Sequence, residues 1–121
     1  MKKLRVGVVG VGYLGRFHAE KYARMDDVEL VGVVDIDKSQ AEEVAGRFNT
    51  KAYLHHEYLF GKVDAVSVVV PTPAHFSVAK DFLENNWKNI KISYRYRPVF
   101  QKSQNLVLYF RNVRMLRRVL R

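Results

Sequence analysis

The sequence predicts an α/β fold, a doubly wound parallel sheet with helices on both faces. Three observations carry the prediction. Short apolar runs alternate with segments of helical period along residues 1–86. The runs are apolar throughout instead of at every second position, which suits strands buried on both faces. A glycine-rich turn joins the first run to the first helical segment.

The elements follow in order. Leu4 to Gly10 is a short apolar run ending in glycine, a buried strand. Tyr13 to Met25 has helical spacing, with Leu14, Phe17, His18, Tyr22 and Met25 three or four apart, until Asp26 and Asp27 break it. Glu29 to Val34 is a second buried strand, ending at Asp35. Lys38 to Phe48 is a second helix with Ala41, Val44, Ala45 and Phe48 on one face, and Lys51 to Leu54 a short third strand. Glu57 to Phe60 forms a helical turn. Val63 to Val70 is too uniformly apolar for a half-exposed strand, and Pro71-Thr72-Pro73 stops it. His75 to Asn85 is a further helix, with Phe76, Ala79, Phe82 and Leu83 expected to face inward.

Composition narrows the function classes. The chain has 121 residues, one domain's worth, and its 48% hydrophobic content allows a modest core. With no cysteine it has no disulfide framework, thiolate metal site or cysteine nucleophile. His18, His55, His56 and His75 show no metal-ligand spacing, so no metal site is assigned. The amino terminus lacks a secretory pattern: Arg5 interrupts the apolar run and glycines break it. No stretch approaches the length of a membrane span, and a cytoplasmic protein is expected.

Charge divides the chain. Residues 1–86 carry 11 Lys/Arg against 12 Asp/Glu, whereas residues 87–121 carry 10 Lys/Arg and no acid. Two segments are therefore expected, a half-domain over 1–86 and an atypical basic segment over 87–121.

Gly10-Val11-Gly12-Tyr13-Leu14-Gly15 is a G-x-G-x-x-G placed after a strand and opening a helix. Gly10 permits the tight turn, Gly12 lets a pyrophosphate approach the backbone, and Gly15 lets the helix pack on the strand. Free N–H groups and the positive dipole end of the helix then face the phosphates. Asp35 stands 20 residues beyond Gly15 at the end of the second strand, where a carboxylate accepts from the adenosine ribose hydroxyls. It also repels a 2′-phosphate, by about 1–4 kcal/mol for charges about 4 Å apart. Ile36 follows, with no arginine nearby to hold such a phosphate. These features define a Rossmann-type dinucleotide-binding half-domain and favour NAD over NADP.

Val6 to Gly15, Val33-Val34-Asp35-Ile36-Asp37, Val63-Asp64-Ala65-Val66 and Val70-Pro71-Thr72-Pro73-Ala74-His75 together resemble the glucose-fructose oxidoreductase/inositol dehydrogenase (Gfo/Idh/MocA) family. The resemblance covers residues 1–86. It implies hydride transfer between a nicotinamide and a sugar or sugar-nucleotide hydroxyl carbon. It also implies that Pro71 and Thr72 run along the cofactor near its nicotinamide end, with His75 beside them. Structural roles stand as alternatives: Pro71 as strand stop, Thr72 as helix cap, His75 as first-turn filler. The candidate cofactor-binding set is Gly10, Gly12, Tyr13, Leu14, Gly15, Asp35, Ile36, Pro71, Thr72 and His75.

The family continues with a Glu-Lys-Pro motif, whose lysine touches the nicotinamide ribose and the substrate, and with a substrate domain. No Glu-Lys-Pro occurs in residues 1–121, and the departure coincides with the charge change at residue 87. A frameshift near codon 86 accounts for both, with a divergent, selected short protein as the rival explanation. In the tail, Ile90, Ile92, Tyr94 and Tyr96 alternate with polar residues as in a strand that could fill the fifth-strand slot. Leu106, Tyr109, Phe110, Val113, Leu116 and Leu120 follow a helical stripe beside arginines. No nucleic-acid motif accompanies it, so neither a specific nucleic-acid partner nor a membrane is expected.

The expected function is NAD binding without turnover by these residues, and no catalytic residue is assigned. A sugar-type substrate is expected only of a full-length parent. The alternatives are a non-catalytic nucleotide sensor with a basic interaction arm and a remnant unable to bind. An uncovered sheet edge also favours homo-oligomers.

Overall fold

The computed structural model describes residues 3–85, 99–100 and 106–109; the side chains of Thr72, His75, Leu83 and the last six of these lie outside the description. Six strands form one sheet: β1 (Leu4–Val9), β2 (Val28–Val34), β3 (Lys51–Tyr53), β4 (Ala65–Val68), β5 (Val99–Phe100) and β6 (Leu106–Tyr109). The helices are α1 (Tyr13–Ala23), α2 (Lys38–Arg47) and α3 (Thr72–Asn85), with a 3-10 turn at His56–Leu59. The strand order is β3-β2-β1-β4-β6-β5. The first four strands run parallel, the order of a Rossmann half.

The doubly wound reading holds because each central strand feeds two cores. Leu4, Val6 and Val8 of β1, with Ala65 of β4, pack with Ala19 and Tyr22 of α1 and Val44 and Ala45 of α2. Val9, Val66 and Val68 form the second cluster, with Leu59 and with Val78, Ala79 and Phe82 of α3. Phe82 and Leu59 are fully buried, and truncating such a phenylalanine to alanine costs about 3–5 kcal/mol.

At the amino ends of β1 and β4, Asp64 clamps Arg5. The carboxylate accepts from the Arg5 backbone N–H at 3.0 Å, from Nε at 3.2 Å and from a terminal guanidinium nitrogen at 3.0 Å. Asp64 is buried. Its bond raises the Arg5 guanidinium pKa above the ordinary value, with the carboxylate's charge adding to the effect against partial burial.

Two helix faces differ from expectation. In α1 the buried residues are Gly15, Ala19 and Tyr22, while Leu14 and Phe17 are exposed. Small residues sit inward because the helix lies close to the glycine turn. In α3 the buried residues include Val78, Ala79 and Phe82; Phe76, expected inside, is 78% exposed. That helix also begins at Thr72, three residues before the expected start.

The tail reading also changes. Leu106 to Tyr109 is a strand, paired antiparallel with β4, and not the start of a helix. It takes the slot beside β4 that the sequence offered to residues 90–97, which lie outside the described residues, as do Phe110 and the rest of the expected stripe. Among the described residues no helix is long and apolar enough to cross a membrane.

Candidate functional site

Three strand ends converge at the carboxyl edge of the sheet. Backbone bonds carry the ladder past each strand. Gly10 N–H donates to the Val34 carbonyl at 2.7 Å, Val69 N–H to Val9 at 2.7 Å, and Asp35 N–H to Tyr53 at 3.1 Å. β1 leads to β2 on one side while β4 lies on its other side, so the strand order reverses here. A crevice at such a point is the ligand site of open α/β sheets. Here it is a cleft of about 670 Å³, whose walls include Gly10, Gly12, Asp35, Ile36, Gln40, the loop from Leu54 to Glu57, and the segment from Val69 to Pro71.

The three glycines do different work. Gly10 has φ +89°, and a Cβ there would lie 2.5 Å from the Val69 carbonyl oxygen. A Cβ on Gly15 would land on the Gly10 carbonyl, so α1 can start this close to β1 only with glycine at that position. Gly12 is under no such pressure. Its φ is −68°, and the nearest atom to a Cβ would be Gln40 Nε2 at 3.9 Å. The fold tolerates a side chain at 12, and the space it would take belongs to the cleft.

Gly12 is the N-cap of α1, and no side chain caps that end; the first turn holds no acidic residue. The N–H groups and positive dipole of an uncapped helix start suit an anion. The contrast with α2 is local: there the Asp37 carboxylate accepts from Gln40 N–H at 3.2 Å.

Asp35 ties these parts together. Its Oδ2 accepts from Val11 N–H at 3.0 Å and from Gln40 Nε2 at 2.8 Å, and its Oδ1 accepts from Asp37 N–H at 2.9 Å. A carboxylate has about four lone-pair sites, so three donors fix its plane and leave acceptor capacity.

Of the residues singled out from sequence, Gly10, Gly12, Asp35, Ile36 and Pro71 line the cleft. Ile36 is 92% exposed. Gly15 packs beneath the turn. Tyr13 and Leu14 are exposed and outside the cleft lining, and the Tyr13 ring meets Phe17 edge-on at 5.4 Å. Thr72 and His75 fall in the first turn of α3; their side chains lie outside the described residues.

Gln40 and the Leu54–Glu57 wall were not singled out from sequence. Gln40 had a signal: Asp37-x-x-Gln40 has the spacing of a helix capping box. His55 and His56 diverge as adjacent side chains should. His55 approaches Tyr58, while His56 packs on Phe82 and bonds the Asp81 carboxylate at 2.8 Å. His56, Glu57 and Asp81 bring ligand atoms within 4.8 Å of one another, a grouping that spacing in sequence did not reveal. Its short contact is that of a hydrogen-bonded pair joining the 3-10 turn to α3.

The sheet order, glycine turn and carboxylate at the end of β2 define a dinucleotide-binding Rossmann domain. Residues 4–91 match the family described as "Oxidoreductase family, NAD-binding Rossmann fold", and the chain belongs to this Gfo/Idh/MocA family. It is 48% identical over 80 residues to UDP-N-acetylglucosamine 3-dehydrogenase of Acidithiobacillus ferrooxidans, covering 66% of this chain and 25% of that protein. It is 33% identical over 87 residues to inositol 2-dehydrogenase of Rubrobacter xylanophilus, covering 69% of this chain and 25% of the relative. Among solved structures, the Acidithiobacillus ferrooxidans enzyme superposes with TM-score 0.64 at 45% identity, over 69% of this chain and 27% of that one. GenD2 from gentamicin A biosynthesis, in complex with NAD, superposes with TM-score 0.65 at 29% identity, over 69% of this chain and 25% of that one. The chain thus spans about a quarter of the length of the relatives it matches.

Proposed function

We propose that this chain binds NAD(H) in the cleft at the ends of β1, β2 and β4, as the cofactor half of an oxidoreductase acting on a sugar or sugar-nucleotide hydroxyl. The observation that carries the proposal is Gly12, a glycine the fold does not require, set at an uncapped helix start and lining the same cleft as Asp35. The Gly12 backbone and the first N–H groups of α1 receive the pyrophosphate. Asp35 accepts from the adenosine ribose hydroxyls. Ile36, exposed at the rim, offers apolar cover beside that ribose. Pro71, Thr72 and His75 are assigned to the nicotinamide end on the family resemblance. The nicotinamide supplies the hydride chemistry, and the protein supplies orientation and electrostatics.

The substrate walls lie in the part of the relatives that residues 1–121 do not match, so no catalytic residue is assigned in this chain. A boundary near residue 86, a cytoplasmic location and self-association through exposed apolar residues such as Tyr13 and Phe17 belong to the same proposal.

Fluorescence titration of the purified chain with NADH and NADPH tests it. Saturable NADH binding is expected, about ten-fold or more tighter than NADPH, which corresponds to the lower part of the charge-repulsion range. Incubation with NAD and UDP-N-acetylglucosamine or inositol is expected to give no NADH. A folded chain that leaves NADH fluorescence unchanged would refute the proposal.

A further inference from the structure

The Asp35 carboxylate needs a partner that holds it, and the partner is in α2. Gln40 stands at the third helical position after its N-cap, Asp37. In a capping box that side chain reaches back to the N-cap's own backbone N–H. Here that N–H is already taken: Asp37 N–H donates to Asp35 Oδ1 at 2.9 Å. The Gln40 amide goes elsewhere, and its Nε2 donates to Asp35 Oδ2 at 2.8 Å. The same oxygen receives Val11 N–H from the glycine loop at 3.0 Å. Gln40 therefore completes a bridge from α2 through Asp35 to the loop that turns at Gly10 and Gly12.

The chemistry requires a hydrogen-bond donor at this position. A glutamate would satisfy the capping spacing but set two carboxylates against each other. A residue without a donor would leave Asp35 Oδ2 with the loop N–H as its single anchor. Gln40 itself lines the cleft, half-buried, with its backbone N–H fixed on Asp37.

We propose that Gln40 is a positioning residue for the adenosine ribose: it holds the Asp35 carboxylate in the orientation in which the free lone pair of Oδ1 meets the ribose 2′-hydroxyl. This rests on the NAD-binding reading above. Held from both sides, the carboxylate keeps one lone pair, on Oδ1, for the ribose and loses little freedom when the ribose arrives.

The test uses the full chain with Gln40→Met, close in shape but without a donor, and Gln40→Ala as a second variant that favours the helix. Each is titrated with NADH and with the NADH analogue lacking the adenosine 2′-hydroxyl, with circular dichroism confirming the fold. Both variants are expected to bind NADH about five-fold more weakly, the effect of one lost hydrogen bond. Toward the 2′-deoxy analogue they are expected to differ from the parent by less than about two-fold, because the contact they organise is already gone. Variants that bind NADH as the parent does, or that lose the same factor toward both dinucleotides, overturn the proposal. A parent chain that binds no NADH refutes the NAD reading itself, and this inference falls with it.

Discussion

Gly10, Gly12 and Gly15 look alike in the motif, and the structure separates them by what a methyl group would meet. At 10 and 15 the obstacle is the protein's own backbone, whereas at 12 it is empty space for 3.9 Å. The two kinds of glycine predict opposite phenotypes. Gly12→Ala is expected to change stability by less than about 1 kcal/mol, since its φ suits alanine and the N-cap preference for glycine partly offsets the entropy gain. It is expected to weaken NADH binding ten-fold or more by occupying the pyrophosphate's path. Gly15→Ala is expected to cost about 3 kcal/mol or more, because the helix must move off the Gly10 carbonyl. Thermal melting followed by circular dichroism, paired with NADH titration, distinguishes them. A Gly12→Ala protein that binds NADH normally would remove the ligand role given to that residue. The motif's spacing was legible in sequence; the division of labour was not, because it depends on the Val69 carbonyl brought in from another segment and on the Gly10 carbonyl that the turn folds against Gly15.

At the scale of elements, α1 shows both a testable device and the limit of pattern reading. His18 of α1 has its Nδ1 3.3 Å from Ser67 Oγ, and the Tyr22 hydroxyl sits 2.6 Å from the same oxygen. Burial, reinforced by the neighbouring Lys21 charge, lowers the His18 pKa below its ordinary value of 6.5. Burial also raises that of Tyr22, against the Ser67 hydrogen bond. For His18 the unfolded chain binds the proton more readily, so stability rises with pH through this group. Its contribution is whole above 6.5 and is lost as pH falls from there toward the folded value. Urea midpoints measured across that interval are expected to fall with pH in the parent and to fall less steeply in His18→Gln, which keeps a polar contact for Ser67. Equal slopes would mean that His18 titrates in the folded protein as it does in the unfolded chain.

The same helix explains what sequence could not supply. Counting apolar residues selected Leu14 and Phe17, yet Gly15 and Ala19 face the sheet, because close packing on β1 selects size before hydrophobicity. Phe76 misleads in the same way in α3. Strands were easier: β1 and β4 are apolar on both faces, and only a central position in a covered sheet explains that. Leu106 to Tyr109 have a stripe compatible with either period over four residues. Pairing with β4, a partner about 40 residues earlier in the chain, decides for strand. Asp35 was legible from its distance to the glycines, whereas Gln40 required the loop and α2 to be seen meeting over one carboxylate.

Across the whole molecule, stability and the cleft are placed at opposite ends of the central strands. Arg5 and Asp64 lock β1 to β4 at their amino ends, about 16 Å of strand from the Gly10 turn. Removing Asp64 leaves the Arg5 guanidinium and a backbone N–H without their shared acceptor, so Asp64→Ala is expected to cost about 3 kcal/mol. Against a total of about 5–15 kcal/mol for a domain of this kind, that is a large fraction. Yet neither Arg5 nor Asp64 lines the cleft, and each strand end carries its own ladder bonds. NADH affinity of the folded variant is therefore expected to stay within about two-fold of the parent's. Linkage then gives a second readout of the same variant. A ligand that binds only the folded form at a hundred times its Kd adds about 2.7 kcal/mol. Saturating NADH is therefore expected to return the urea midpoint of Asp64→Ala almost to that of the ligand-free parent. A variant whose affinity fell ten-fold would show only about half that rescue at the same NADH concentration, about 1.4 kcal/mol, and would mean that the clamp sets the geometry of the cleft as well as the stability of the sheet.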